Sequence, residues 1–132
     1  MKRTLILLAL AAAVATGVRC GDSTGPRAGT LIVRLTSPNS GADSAIVLTI
    51  TGPAPLTSAA PGPGLALFAQ PLGGTTTRFA LTGQLLHNAP ILTIGVTDVG
   101  AVSQYSGTIR GVAQPDYQLR TLPGGYALAI IR

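Results

Sequence analysis

Side chains able to do acid–base or ligand chemistry are few in this chain: four Asp, no Glu, one His and three Tyr in 132 residues. A general acid/base pair would need two of Asp43, Asp98 and Asp116 brought together. Each lies in a stretch rich in Gly, Pro or Ala that reads as a turn, where capping backbone amides is the commoner task. A Ser or Thr with His87 and Asp98 has the composition of a nucleophilic triad. No Gly-x-Ser-x-Gly elbow that would present such a serine occurs in residues 29–132. His87, in Leu85-Leu86-His87-Asn88, reads as a loop histidine, half packed and half wet. The expectation is that the chain is not an enzyme, with a hydrolase as the remote alternative.

Ligand sites are equally sparse. Zinc would have one His and no second soft ligand beyond Cys20. Calcium would have to use Asn39 and Asp43 with backbone carbonyls of the Pro38–Ser44 loop, and that spacing does not match an EF-hand. No metal is therefore expected, with Asn39 and Asp43 the only residues worth naming. Gly73-Gly74 and Gly124-Gly125 lack the Lys and the following helix of a phosphate loop, so no cofactor is expected either. Tyr105, Tyr117 and Tyr126, with His87, are the residues that would touch a carbohydrate or small ligand; strand-edge or core aromatics are the plainer reading.

Composition narrows the partners. Formal charge is +5, but Lys2, Arg3 and Arg19 all fall before residue 20. The remaining six Arg (27, 34, 78, 110, 120 and 132) face four Asp and form no run. A nucleic-acid binder would be expected to cluster its cations, so nucleic acid is not expected as a partner. Beyond residue 19 there is no Lys and no Glu, while Thr, Ile, Val, Gly and Pro abound, which favours strands over helices. Charged residues make up 10% of the chain, well under the usual quarter or so. The surface must therefore be covered by neutral polar groups.

The first nineteen residues have a different character. Lys2 and Arg3 form a basic head, and Leu5 to Ala15 is apolar throughout. That run is too short for a bilayer core, which takes about 20 residues. It has the form of a secretory signal peptide, over 1–19. Cys20, the one cysteine, follows directly, and Gly21-Asp22-Ser23-Thr24-Gly25-Pro26 continues it. This arrangement resembles bacterial lipoproteins. The resemblance implies acylation at Cys20, a flexible tether over 20–28 and a lipid anchor in a membrane of the cell envelope. The positions where that family favours Leu and a small residue hold Gly17 and Arg19. Cleavage near Ala15 by an ordinary signal peptidase, giving a secreted or periplasmic protein, is the alternative.

Residues 29–132 suit one domain. Alternation of apolar and polar residues predicts strands over Thr30–Leu35, Ser44–Thr51, Thr75–Thr82, Ile91–Thr97, Tyr105–Ala113 and Tyr126–Ile131. Shorter strands are predicted over Leu56–Ala60, Leu65–Gln70 and Tyr117–Leu122. Gly83–Pro90 is read as a loop with room for one helical turn, and Asp98-Val99-Gly100 as a turn. Seven to nine short strands with no long helix after the signal predict an all-β, two-sheet antiparallel sandwich, with a partly open barrel as the alternative. The expected core is Leu31, Val33, Leu35, Ile46, Leu48, Ile50, Phe79, Leu81, Leu92, Ile94, Val96, Ile109, Leu128 and Ile130.

Strand number and turn placement resemble the immunoglobulin-like and cohesin-like sandwiches of exported bacterial proteins. Gly29-Thr30-Leu31-Ile32-Val33 and Thr49-Ile50-Thr51-Gly52-Pro53 are similar to segments of small bacterial lipoproteins. The likeness implies location and architecture and no activity. The functional expectation is a non-enzymatic envelope lipoprotein, a structural or interaction module that meets envelope protein or glycan. A carbohydrate- or small-ligand-binding module is the alternative.

Overall fold

A computed structural model describes residues 25–132. The expected signal peptide (1–19), Cys20 and the first part of the tether lie outside the described residues. Eight strands follow in order: β1 (Gly29–Thr36), β2 (Asp43–Thr51), β3 (Ser58–Pro61), β4 (Ala66–Pro71), β5 (Thr76–Leu85), β6 (Pro90–Val96), β7 (Ser106–Ala113) and β8 (Ala127–Ile131). A single 3-10 segment, Val99–Gln104, separates β6 from β7. The strands form two four-stranded sheets, ordered β3-β6-β1-β8 and β4-β5-β2-β7, with antiparallel pairing throughout. Two separate sheets make this a sandwich and not a barrel.

The alternation seen in the sequence is the packing pattern. Leu31, Val33 and Leu35 of β1 and Ile46, Leu48 and Ile50 of β2 are fully or almost fully buried between the sheets. Phe79 and Leu81 of β5 and Leu92, Ile94 and Val96 of β6 meet them. Prolines sit where a missing N–H costs no ladder bond. Pro61 and Pro71 end the edge strands β3 and β4, and Pro90 is the first residue of β6.

Four sequence expectations are corrected. The stretch after Thr82 is not a loop with a helical turn: β5 continues to Leu85, which is fully buried. Gly83 makes this possible. Its φ of +134° suits glycine, and a Cβ there would come within 2.8 Å of the Gly64 carbonyl oxygen. Tyr117–Leu122 is not a strand. Tyr117 has φ +66°, and the segment touches β7 through one isolated bridge, Ala113 to Leu119.

The core also differs at its margins. Ile109, Leu128 and Ile130 are only partly buried, because β7 and β8 are edge strands. Leu85, Ile91, Ala101, Tyr105 and Val112 join the core instead. Ile91 and its neighbour Leu92 are both buried, which strict alternation forbids. The β3–β4 link explains it: Gly62 passes so close that a Cβ there would lie 2.1 Å from the Pro90 carbonyl oxygen and 3.0 Å from the Ile91 Cα. The link lies tight against β6 where the alternation breaks.

Candidate functional site

Three connections meet at one end of the sandwich: residues 37–42 between β1 and β2, 86–89 between β5 and β6, and 114–126 between β7 and β8. The last is the longest in the described residues. It turns back at once. The Gln114 N–H donates to the Gln118 carbonyl at 2.9 Å, the Tyr117 N–H to the Gln114 carbonyl at 3.0 Å, and Asp116 Oδ1 accepts from the Gln118 N–H at 3.1 Å. The Arg120 N–H then donates to the Val112 carbonyl at 2.8 Å, holding the returning segment against the end of β7.

Arg120 and Tyr126 are thereby aimed at Asp43, the first residue of β2. Asp43 is 1% exposed. Its Oδ1 accepts from Arg120 Nε at 2.8 Å, and its Oδ2 accepts from the Tyr126 hydroxyl at 2.5 Å. Arg120 Nη2 also reaches the Ala42 carbonyl at 3.4 Å. Asn39 Nδ2 donates to the Tyr126 hydroxyl oxygen at 2.8 Å. Among the described residues Arg120–Asp43 is the one salt bridge.

A buried carboxylate is costly unless paired and hydrogen-bonded, and here both oxygens are engaged. The electrostatics are mutual. The hydrogen bond to Asp43 holds the Arg120 guanidinium above its ordinary pKa, with the carboxylate charge adding to it. Burial, and then the hydrogen bond to Asp43, push the Tyr126 phenol above its ordinary value.

The network continues outward through weaker links. The Asn39 N–H donates to Ser37 Oγ at 3.0 Å, the Ser37 N–H donates to His87 Nδ1 at 3.1 Å, and the His87 N–H donates to Ser40 Oγ at 2.9 Å. An accepting Nδ1 places the His87 proton on Nε2. His87 therefore ties the 86–89 loop to the 37–42 loop, and its hydrogen-bond partners include neither Asp98 nor Asp116.

The tyrosines are dispersed. Tyr105 is buried, its ring pressed against Gly52, where a Cβ would lie 2.2 Å from two ring carbons. Its hydroxyl makes no hydrogen bond. Tyr117 is 92% exposed at the tip of the 114–118 turn. Tyr126 alone belongs to the Asp43 network. Asp98 caps the 3-10 segment, with Oδ1 accepting from the Gly100 N–H at 2.9 Å and the Arg27 N–H at 3.3 Å. Asn39 and Asp43 are joined through the Tyr126 hydroxyl. Among the described residues no cluster of three His, Cys, Asp or Glu side chains is placed to hold a metal.

Arg120 is the residue that sequence reasoning passed over. It falls inside the strand expected over Tyr117–Leu122, and its partner lies 77 residues away. The one cue was that Asp43 opens an apolar strand and so would need a cation if buried.

Beside this network runs a groove of about 560 Å3. Gly107, Thr108 and Ile109 of β7 form one wall; Leu122, Pro123, Tyr126, Ala127 and Leu128 form the other. Tyr126 belongs to both features. Comparison with protein-family models, with curated protein sequences and with solved structures gave no match.

Proposed function

We propose that this chain is a non-enzymatic module of the cell envelope, an exported β-sandwich held on a membrane surface through acylated Cys20, which meets its partners through strand edges and loops. The finer likeness to immunoglobulin-like or cohesin-like sandwiches belongs to the same proposal. The observation that carries the reading is the fate of the polar side chains. Asp43, Arg120, Tyr126 and Asn39 spend their hydrogen bonds on one another, and Asp98 and Asp116 on backbone amides. Such an arrangement fixes loops and leaves the edges and the groove as the surfaces for recognition.

The point of entry gives the module a direction. Residues 27 and 98–99 are tied together, since the Val99 N–H donates to the Arg27 carbonyl at 2.8 Å. β1 begins there, at the end opposite the 37–42, 86–89 and 114–126 loops. A tether over 20–28 can reach at most about 30 Å when fully extended. An anchor at Cys20 would keep the 3-10 end near the membrane and turn the Asp43 end outward.

Metabolic labelling with an acyl-chain analogue, followed by membrane fractionation, tests the anchor. Wild type is expected to label and sediment with membranes, and Cys20→Ala to do neither. Equal labelling of the two would overturn acylation at this position.

A further inference from the structure

We propose that the outer face of the β4–β5 hairpin binds an acidic sugar, one that carries a carboxylate on a ring with an apolar face. This deepens the reading of the chain as an envelope module that meets glycan, and rests on that reading only for where such a ligand is met.

Side-chain placement on β4 runs against stability. Leu67 and Ala69 lie opposite the buried Leu81 and Phe79, so they take the inner face of the sheet. Phe68 takes the outer face and is 64% exposed. Of the two Phe in the chain, Phe79 fills the core and Phe68 stands on the wet face of an edge strand. An aromatic there buries little and adds a risk of association.

The register supplies its surroundings. Phe68 lies opposite Ala80, and Gln70 opposite Arg78. Residues directly opposite share a face, and a diagonal neighbour such as Arg78 is within reach of an aromatic. The small Ala80 leaves space beside the ring. The result is a hollow of about 140 Å3 lined by Phe68, Ala69, Gln70, Arg78 and Ala80. Across the sheet one row continues from Arg78 to Thr49 and Thr108, and the row beside it from Ala80 to Val47 and Gly111. A polar row thus runs next to an apolar one.

Charge and area select the occupant. Arg78 is exposed and has no ion pair among the described residues. No acid shares its face, since Asp43 is buried and Asp98 and Asp116 cap turns. A guanidinium fork fits a carboxylate, and the electron-rich face of a phenyl ring attracts the polarised C–H bonds of a sugar. The whole outer face of four strands measures roughly 20 Å by 20 Å, or about 400 Å2. A stable protein interface takes about 800 Å2 from each partner. The face suits a short glycan better than a protein.

The test titrates isotope-labelled purified protein with a short oligogalacturonate and with its methyl ester, following backbone amides by NMR at low ionic strength. The acid should shift amides of β4 and β5 saturably. The ester should bind roughly fivefold more weakly, as expected for loss of an exposed ion pair. Arg78→Gln should lower the acid to the affinity of the ester and leave the ester unchanged. Phe68→Ala should weaken both by about tenfold, and Phe68→Tyr should retain binding. Both side chains are exposed, and unchanged melting curves check that the fold persists.

Absence of saturable shifts, shifts centred outside β4 and β5, equal affinity for acid and ester, or undiminished binding by Phe68→Ala would overturn the proposal. So would oligoaspartate binding as tightly as oligogalacturonate, since the occupant would then be an acidic peptide. Benzoate binding as tightly would overturn it in favour of an aromatic acid. Cys20→Ala should bind as wild type does, so failed acylation counts against the anchor alone and a failed titration leaves the anchor standing.

Discussion

The two flanks of the sandwich are closed in different ways. On the β3/β4 flank the sheets are joined by residues 62–65, and the chain runs directly against β6. On the β7/β8 flank they are joined by residues 114–126, which leave a groove between the sheets. The short link is held by close backbone approach. The Gly62 N–H donates to the Ile91 carbonyl at 2.8 Å, and no side chain is needed. The long link meets a sheet's backbone at one place, where the Arg120 N–H donates to the Val112 carbonyl at 2.8 Å beside the Ala113–Leu119 bridge. It is fastened by side chains that reach back to a buried carboxylate. Backbone proximity seals a flank, whereas a polar anchor can hold a loop while keeping the space beneath it open.

The sharpest way to break the comparison is at Gly62. A Cβ 2.1 Å from a backbone oxygen cannot be relieved by rotating a side chain. Gly62→Val should push the link off β6 and expose Ile91. We expect a loss of about 3 kcal/mol or more, as for severe overpacking with loss of core burial. Denaturant melts of the two proteins check it; a loss below about 1 kcal/mol would mean the link moves freely and the two flanks do not differ in kind.

Asp43→Ala acts on the other flank. It removes the acceptor of Arg120 and Tyr126 together, and hydrogen bonds to a charged partner each contribute about 1.5–3 kcal/mol. Part of that is regained because Arg120 is partly exposed and can be solvated. The expected loss is about 2–3 kcal/mol, smaller than at Gly62. It should be local as well. Hydrogen exchange should quicken in 114–126 and stay slow in β5 and β6, as expected when one unit opens below the global transition. Uniform loss of protection across both sheets would show that Asp43 supports the core as a whole.

The contrast also marks what the sequence could disclose. Period-two alternation in Leu31-Ile32-Val33-Arg34-Leu35 or in Ala45 to Thr51 reports burial on one face, so strands, facing and most of the core were readable. The pattern failed where a special backbone conformation intervened. Gly83 lets β5 run on to Leu85, and Tyr117 at positive φ turns a would-be strand into a return. It failed again where the covering element was distant, as at Ile91 beneath Gly62. Of the polar end, Asn39, Asp43, Tyr126 and His87 were each recognisable as residues with chemistry to offer. Their association was not. Tyr126 and Asp43 are 83 residues apart, and nothing local in either segment points to the other. Arg120 carried no periodicity to distinguish it from the other scattered arginines.

The finest probe of the long link is the Tyr126 hydroxyl. Tyr126→Phe keeps the ring and removes one donor to Asp43 and one acceptor from Asn39, for an expected loss of about 1–1.5 kcal/mol at neutral pH. Its pH dependence identifies the cause. The folded-state pKa of this phenol lies above its unfolded value of about 10, so folding favours the neutral form. That contribution is complete below pH 10 and is lost as the pH climbs through the folded-state value. Wild type should therefore lose stability more steeply than Tyr126→Phe above about pH 10, and the two curves should converge. Tyr105 and Tyr117 are present in both proteins, so the difference between the curves belongs to Tyr126. Parallel curves across the alkaline range would mean that the ring's packing, and not its hydroxyl, holds 114–126 over the groove, and the distinction between a backbone-sealed flank and a polar-anchored one would narrow to Arg120 alone.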